Sequence, residues 1–122
     1  MTEEELKERT KQFALRIMKL VDALSKSASG KVIGNQLLRS GTSVGANYRA
    51  ACHARSKAEF IAKLGIVVEE ADECQYWLEL LRDGKMIKTE RLRLLSEEAQ
   101  QLTAIFVSSI KSAKNLKSKI KN

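Results

Sequence analysis

The sequence predicts an all-α protein, a single domain over residues 1–122 folded as an antiparallel up-down-up-down four-helix bundle. Three observations lead there. The 122 residues contain no proline and are rich in Ala, Leu, Lys, Glu and Arg, a composition that favours long helices over a turn-rich β sandwich. Hydrophobic residues make up 43% of the chain and charged residues 30%, enough for the core of one domain at this length and not for two. Apolar residues then recur at helical spacing in four segments separated by short polar breaks.

The first segment carries Leu6, Phe13, Ile17, Leu20 and Leu24, with Met18 and Val21 widening the stripe, and predicts a helix over about 3–25. Ser25-Lys26-Ser27-Ala28-Ser29-Gly30 is small, polar and glycine-containing, the expected first interhelical loop. The second helix is placed at about 31–53, with Ile33, Leu37, Ser40, Val44, Asn47 and Ala51 on its core face. The third, about 57–82, shows Phe60, Leu64, Val67, Ala71, Cys74, Leu78 and Leu81 in strict 4,3 alternation. Ser56 and Glu59 form a capping-box pattern at its start, and Asp83-Gly84 gives a stop at its end. The fourth, about 89–119, repeats Leu92, Leu95, Ala99, Leu102, Phe106, Ser109, Ala113, Leu116 and Ile120, roughly 45 Å of helix at about 1.5 Å per residue. Helices of this kind bury their stripes against one another, and short connections make neighbours antiparallel.

Charge is unevenly distributed around a net +7. No acid occurs between Asp22 and Glu59, where Lys26, Lys31, Arg39, Arg49, Arg55 and Lys57 fall, whereas residues 56–84 hold seven acidic against three basic side chains. From about 107 to 122 the helix end is purely basic. Lys111, Lys114, Lys117 and Lys121 are spaced 3,3,4 and form one stripe if the helix persists. These four, with Arg49 and Arg55, are the candidate nucleic-acid-binding residues.

Other chemistries find little support. No run of 18 apolar residues is present, and Met1-Thr2-Glu3-Glu4-Glu5 is acidic where a secretory signal is basic, so a cytoplasmic protein with no membrane association is expected. Cys52 and Cys74 lie in apolar-periodic segments without a CxxC pair and are expected to be free core thiols. The Glu-x-x-His ligand pattern of di-iron bundles is absent, and Glu69, Glu70, Asp72 and Glu73 lack histidine partners, so neither a metal nor a cofactor is expected. Gly41-Thr42-Ser43-Val44-Gly45 has no P-loop lysine. His53 follows Arg49 by four residues, an arrangement only partly similar to the Arg-and-His pair of HEPN ribonucleases. Its spacing is one residue short, and Ala50 stands where that motif has a polar residue. A non-enzymatic protein is expected.

The Arg39–Arg49 stretch is the least usual part of the chain, because two glycines inside one helix each cost about 1 kcal/mol relative to alanine. Small residues there predict a close helix approach, and Asn47 on the seam predicts a buried polar pair with Glu73.

Arg39-Ser-Gly-Thr-Ser-Val-Gly-Ala-Asn47, Ser56-Lys-Ala-Glu59-Phe60-Ile61, Leu64-Gly-Ile-Val, Glu70-Ala-Asp-Glu73 and Trp77-Leu-Glu-Leu-Leu81 together resemble the four-helix-bundle family named for the 23S ribosomal RNA intervening-sequence proteins, over roughly residues 10–115. The positions matching the family pattern are Arg39, Ser40, Ser43, Asn47, Ser56, Glu59, Phe60 and Glu73. Ala50-Ala51 departs from it where many relatives carry Glu-Gly. The resemblance implies a bacterial, cytoplasmic, left-handed up-down bundle that assembles into a ring-like pentamer. It also implies kinship with the accessory variability proteins of diversity-generating retroelements, basic pentamers associated with nucleic acid.

Two functions from different classes are therefore expected. The first is a homo-oligomeric nucleic-acid-binding accessory protein, RNA favoured over DNA, acting through backbone electrostatics at a pI near 9.6. Single-strand stacking is not expected, because Phe13, Phe60 and Phe106 occupy core positions and only Tyr48, Tyr76 and Trp77 remain as platforms. The alternative is a protein-interaction scaffold in which the basic face of the second helix docks on the acidic face of the third in a neighbouring subunit or a protein partner.

Overall fold

The computed structural model describes the backbone of residues 1–121 and the side chains of residues 1–116. Four helices account for it: α1 (Glu3–Asp22), α2 (Ala28–Cys52), α3 (Lys57–Asp83) and α4 (Thr89–Lys121). No strand occurs among the described residues.

The first three helix starts have local causes. Thr2 Oγ1 accepts from the Glu5 N–H at 3.1 Å, and Glu3, Glu4 and Glu5 face the positive end of the α1 dipole. α2 begins three residues earlier than the sequence predicts, because Ser27 inside the serine-rich break is itself the N-cap, its hydroxyl accepting from Gly30 N at 3.1 Å. α1 correspondingly stops short of the expected residue 25: Ala23 and Leu24 bond back only three residues, to Leu20 and Val21, in a tightened last turn. Ser56 caps α3 through Glu59 N at 3.1 Å, but the reciprocal arm of the capping box is displaced, since Glu59 Oε2 lies 3.5 Å from Arg55 N and not on Ser56. At the far end Gly84 caps α3 with an ordinary φ of −78°. The left-handed residue is Lys85 (φ 55°), and its N–H reaches Arg82 O while Met86 N reaches Leu81 O, a Schellman closure.

α2 packs on both α1 and α3, α3 packs on α4, and α1 and α4 touch only sparingly. α2 runs back along α1, since Gly34 lies against Val21 and Leu24, Gly41 against Ile17, and Gly45 against Thr10. The core is a continuous column including Phe13, Ile17, Leu37, Val44, Leu64, Val67, Leu78, Leu92, Leu102 and Phe106. Every predicted α3 stripe position from Leu64 to Leu81 is buried.

Several side chains depart from the predicted stripes. Met18 is 43% exposed and does not widen the core. On α2, Asn47 and Ile33 are only half-buried, and Tyr48 takes the core place expected of Asn47, its ring 5.1 Å from that of Phe106. Tyr48 is thus unavailable as a stacking platform. Phe60 is half-buried at the bundle end, outside the fully buried column. Leu116 is 48% exposed, because the neighbouring helices no longer enclose α4 there. Cys74 is a free, fully buried thiol, whereas Cys52 is free but only half-buried at the end of α2.

Candidate nucleic-acid interface

The short α2–α3 connection and the long α4 bring several of the predicted cations to one end of the bundle. Arg49 is exposed in the last turn of α2, Arg55 sits in the connection, and Lys111 and Lys114 are exposed on α4. Lys117 and Lys121 lie outside the described side chains. Contacts tie these elements together. Glu3 shares a hollow of about 260 Å³ with Cys52, Arg55, Ser56, Lys57 and Phe60, so the α1 N-terminus meets the start of α3. Lys57 and Phe60 also face Ser108, Ser112 and Leu116 across a second hollow of about 360 Å³, so α4 runs back along α3. A third groove, about 290 Å³, runs between α1 and α2, lined by Lys7, Lys11 and Arg49 together with Thr10, Ala14 and Gly45.

What distinguishes these cations is that they gather at one end while, among the described residues, none of them is spent on a carboxylate; lysines and arginines elsewhere, such as Lys19, Lys31 and Arg91, are unpaired too but lie away from that end. Among the described residues, Lys7 pairs with Glu3 and Glu4, Arg9 with Glu98, Arg82 with Asp83, Arg93 with Glu97, and Arg39 with Glu70 and Glu73. Arg49, Arg55, Lys57, Lys111 and Lys114 pair with no carboxylate in that set. Unpaired exposed cations retain their field for an anionic partner.

The family-motif positions serve the fold. Arg39 is held by two carboxylates, with a 3.0 Å bond to Glu70 and a further bond to Glu73. Ser40 Oγ donates to Gln36 O at 3.0 Å and accepts from the Cys74 thiol at 3.3 Å. Burial pushes that thiol up to about 12. Ser43 Oγ donates to Arg39 O. The expected Asn47–Glu73 pair does not form: Asn47 Nδ2 donates to Ser43 O at 2.9 Å within its own helix, and Glu73 is occupied by Arg39. A buried polar contact across α2 and α3 is instead Ser40–Cys74, two turns along α2 from the expected place.

His53 is the exposed C-cap of α2, and its ring bonds to no side chain among the described residues. Among those residues no three His, Cys, Asp or Glu side chains converge on a point that could hold a metal ion, and no helix is long and apolar enough to cross a membrane. Glu70 and Glu73, in the acidic run of α3, are turned to Arg39. Lys57 and the Ser108/Ser112 pair were not singled out by sequence reasoning. The cap at Ser56 was the available signal for Lys57, since it fixes Lys57 as the first residue of α3 and hence at the bundle end.

The profile of a protein family described as 23S rRNA-intervening sequence protein matches residues 2–108. A crystal structure of a protein of unknown function from the S23 ribosomal protein family of Bacteroides thetaiotaomicron VPI-5482 superposes with a TM-score of 0.84 at 39% identity, covering 91% of this chain and 99% of that one. No curated protein matches the chain.

Proposed function

The chain belongs to the 23S rRNA-intervening sequence protein family, and on that premise we propose that it is a non-enzymatic, cytoplasmic, homo-oligomeric RNA-binding accessory protein. The observation that carries the reading is the set of unpaired cations at one bundle end: Arg49, Arg55, Lys57, Lys111 and Lys114. The family's name, which ties it to 23S ribosomal RNA, supports RNA over DNA. A pentamer is the proposed assembly, and it multiplies a modest cationic patch into an extended one. The scaffold reading keeps only part of its acidic face: Glu70 and Glu73 already bind Arg39 of the same chain, which leaves the exposed Glu69, Asp72 and Glu79 to receive a neighbour's basic helix.

Fluorescence anisotropy with labelled RNA and DNA across a salt series tests the proposal, with light scattering on the same sample for assembly. Binding that weakens steeply with salt is expected, with slope about −0.7 per neutralised phosphate on single strands and about −0.9 on duplex DNA. Replacing Arg49, Arg55, Lys111 and Lys114 by Gln flattens the single-strand slope by up to about 3 per protomer and leaves the fold intact, as all four are exposed or half-exposed and unpaired. A folded protein that binds no nucleic acid at about 50 mM salt refutes the reading, and a monomer at micromolar concentration refutes the assembly.

A further inference from the structure

The hollow between α3 and α4 has the chemistry of a nucleotide subsite. It exists because α4 outlasts α1. Arg9 of α1 is pinned to Glu98 and Gln101 of α4 at 2.7–2.8 Å, and α1 begins only six residues before Arg9, about 9 Å of helix. By that reckoning α1 runs out opposite roughly residue 107 of α4, and past that level Ser108, Ser112, Ala113 and Leu116 line a hollow with Phe60 and Lys57.

The lining is unusual for this molecule. Phe60 is half-buried and, with Lys57, lines both hollows at this end, so it stands between them and is partly open to a ligand, unlike the fully buried Phe13 and Phe106. Among the described residues the α3–α4 hollow is lined by no carboxylate: its polar side chains are the Lys57 ammonium and the hydroxyls of Ser108, Ser109 and Ser112. Ser109 is spent on Ile105 O at 2.9 Å, whereas Ser108 and Ser112 make no hydrogen bond among the described residues. Lys111 stands one helical turn from Ser108 and is exposed.

An aromatic ring beside an apolar side chain, free hydroxyls and unpaired lysines match an unpaired nucleotide, whose base has a π-face, whose ribose offers hydroxyls and whose phosphate is anionic. A base paired inside a duplex cannot present its face to Phe60. We propose that this hollow holds one unpaired base of single-stranded RNA against Phe60, with Lys57 and Lys111 on the flanking phosphates. The proposal rests on the RNA-binding reading and adds strandedness to it, so the expectation that single-strand stacking plays no part is replaced.

Anisotropy with a labelled oligouridylate of about 12 nucleotides, a length within the range of single-strand site sizes, and an RNA duplex of equal length at one salt concentration tests the subsite. Wild type is expected to bind the single strand more tightly. Phe60→Leu, which keeps an apolar side chain between the two hollows, should weaken single-strand binding by about 5-fold or more and change duplex binding less than about 2-fold, while Phe60→Tyr retains the wild-type preference. Far-UV circular dichroism melts establish that both variants are folded. Unchanged single-strand binding by Phe60→Leu, or an equal loss on both probes, overturns the subsite and leaves the RNA-binding reading standing. Absence of binding to either probe by wild type overturns both.

Discussion

Adding one methyl group to a glycine should destabilise this protein at position 41 and stabilise it at position 65. Both residues lie inside helices with ordinary backbone angles, so each glycine-to-alanine change gains about 1 kcal/mol of helix propensity. At Gly65 a new Cβ meets nothing within 4 Å, and the gain stands. At Gly41 the same atom would sit 2.8 Å from Ile17 Cγ2, 2.9 Å from Cγ1 and 3.1 Å from Cβ. Ile17 is fully buried and β-branched, so its χ1 is fixed in a helix, and contact with its Cβ cannot be relieved by rotation. α1 must move away from α2. Overpacking costs about 1–3 kcal/mol, and three atoms inside contact distance place this site in the upper half of that range, leaving a net loss of about 1–2 kcal/mol.

The two variants should therefore differ by about 2–3 kcal/mol, or about 6–15 °C in Tm at roughly 3–5 °C per kcal/mol for a chain of this size. Thermal melts followed by circular dichroism at one fixed protomer concentration measure the gap, since assembly makes Tm concentration-dependent. Ile17→Ala removes both Cγ atoms, so in a double-mutant cycle it should absorb part of the Gly41→Ala penalty, with a coupling of about 1 kcal/mol or more. If Gly41→Ala melts at or above Gly65→Ala, α1 and α2 are not in the close contact described, and the account of the glycine-rich helix is wrong.

Asn47→Leu should change stability by less than about 1 kcal/mol, since its amide bonds only to Ser43 O of the same helix and no buried partner is orphaned; urea titration checks this, and a loss above 2 kcal/mol points to an intersubunit role. Lys85→Gly should raise stability by about 1 kcal/mol by relieving the left-handed backbone at φ 55°, read from the same titration. The Arg39–Glu73 pair is part-exposed at 47% and 35%, so a double-mutant cycle to alanine should give a coupling no larger than about 1 kcal/mol that shrinks in high salt. Cys74, pushed up to about 12 against an ordinary value of 9.0, stays neutral in the fold while the unfolded chain ionises. Stability should thus be independent of this thiol below pH 9.0 and fall as pH rises from there toward about 12. Cys74→Ala removes that component of the alkaline slope, leaving the contributions of the Cys52 thiol and the Tyr48 phenol, both also raised by burial.

The sequence was most informative where burial is symmetric about one helix face. The α3 stripe from Leu64 to Leu81 is buried at every predicted position, because α3 lies between two neighbours and its 4,3 apolar spacing reports that directly. α2 also lies between two helices, yet its face toward α1 is made of Gly34, Gly41 and Gly45, which contribute no hydrophobic signal. A hydropathy pattern centred on Leu37, Val44 and Ala51 therefore aimed the helix at α3 and placed Asn47, not Tyr48, on the seam. The acid–base partner of Glu73 was missed for a related reason. Arg39 is four residues before Ser43 and eight before Asn47, on the same turn-by-turn row, but only a guanidinium is long enough to reach across to both α3 carboxylates.

The end of α4 shows what periodicity leaves open. Leu116 falls in register with Phe106 and Ala113, and the pattern alone assigns it to the core, yet it is exposed. A heptad repeat records the phase of a helix and says nothing about whether a neighbour is still alongside. That depends on where α1 starts, which is set at the other end of the sequence by Thr2 and the acidic first turn, and on the Arg9–Glu98 clamp that fixes the stagger. Because α1 begins too late to cover it, the apolar edge at Leu116 and the ring of Phe60 face solvent beside Lys57 and Lys111. The candidate site is thus a product of mismatched helix ends, and lengthening α1 should close it. Four helix-forming residues inserted before Glu3, behind the same Thr cap, extend α1 by about 6 Å toward the hollow. The expected result is a higher Tm with weaker single-strand binding; a higher Tm with unchanged binding would show that RNA does not use this face.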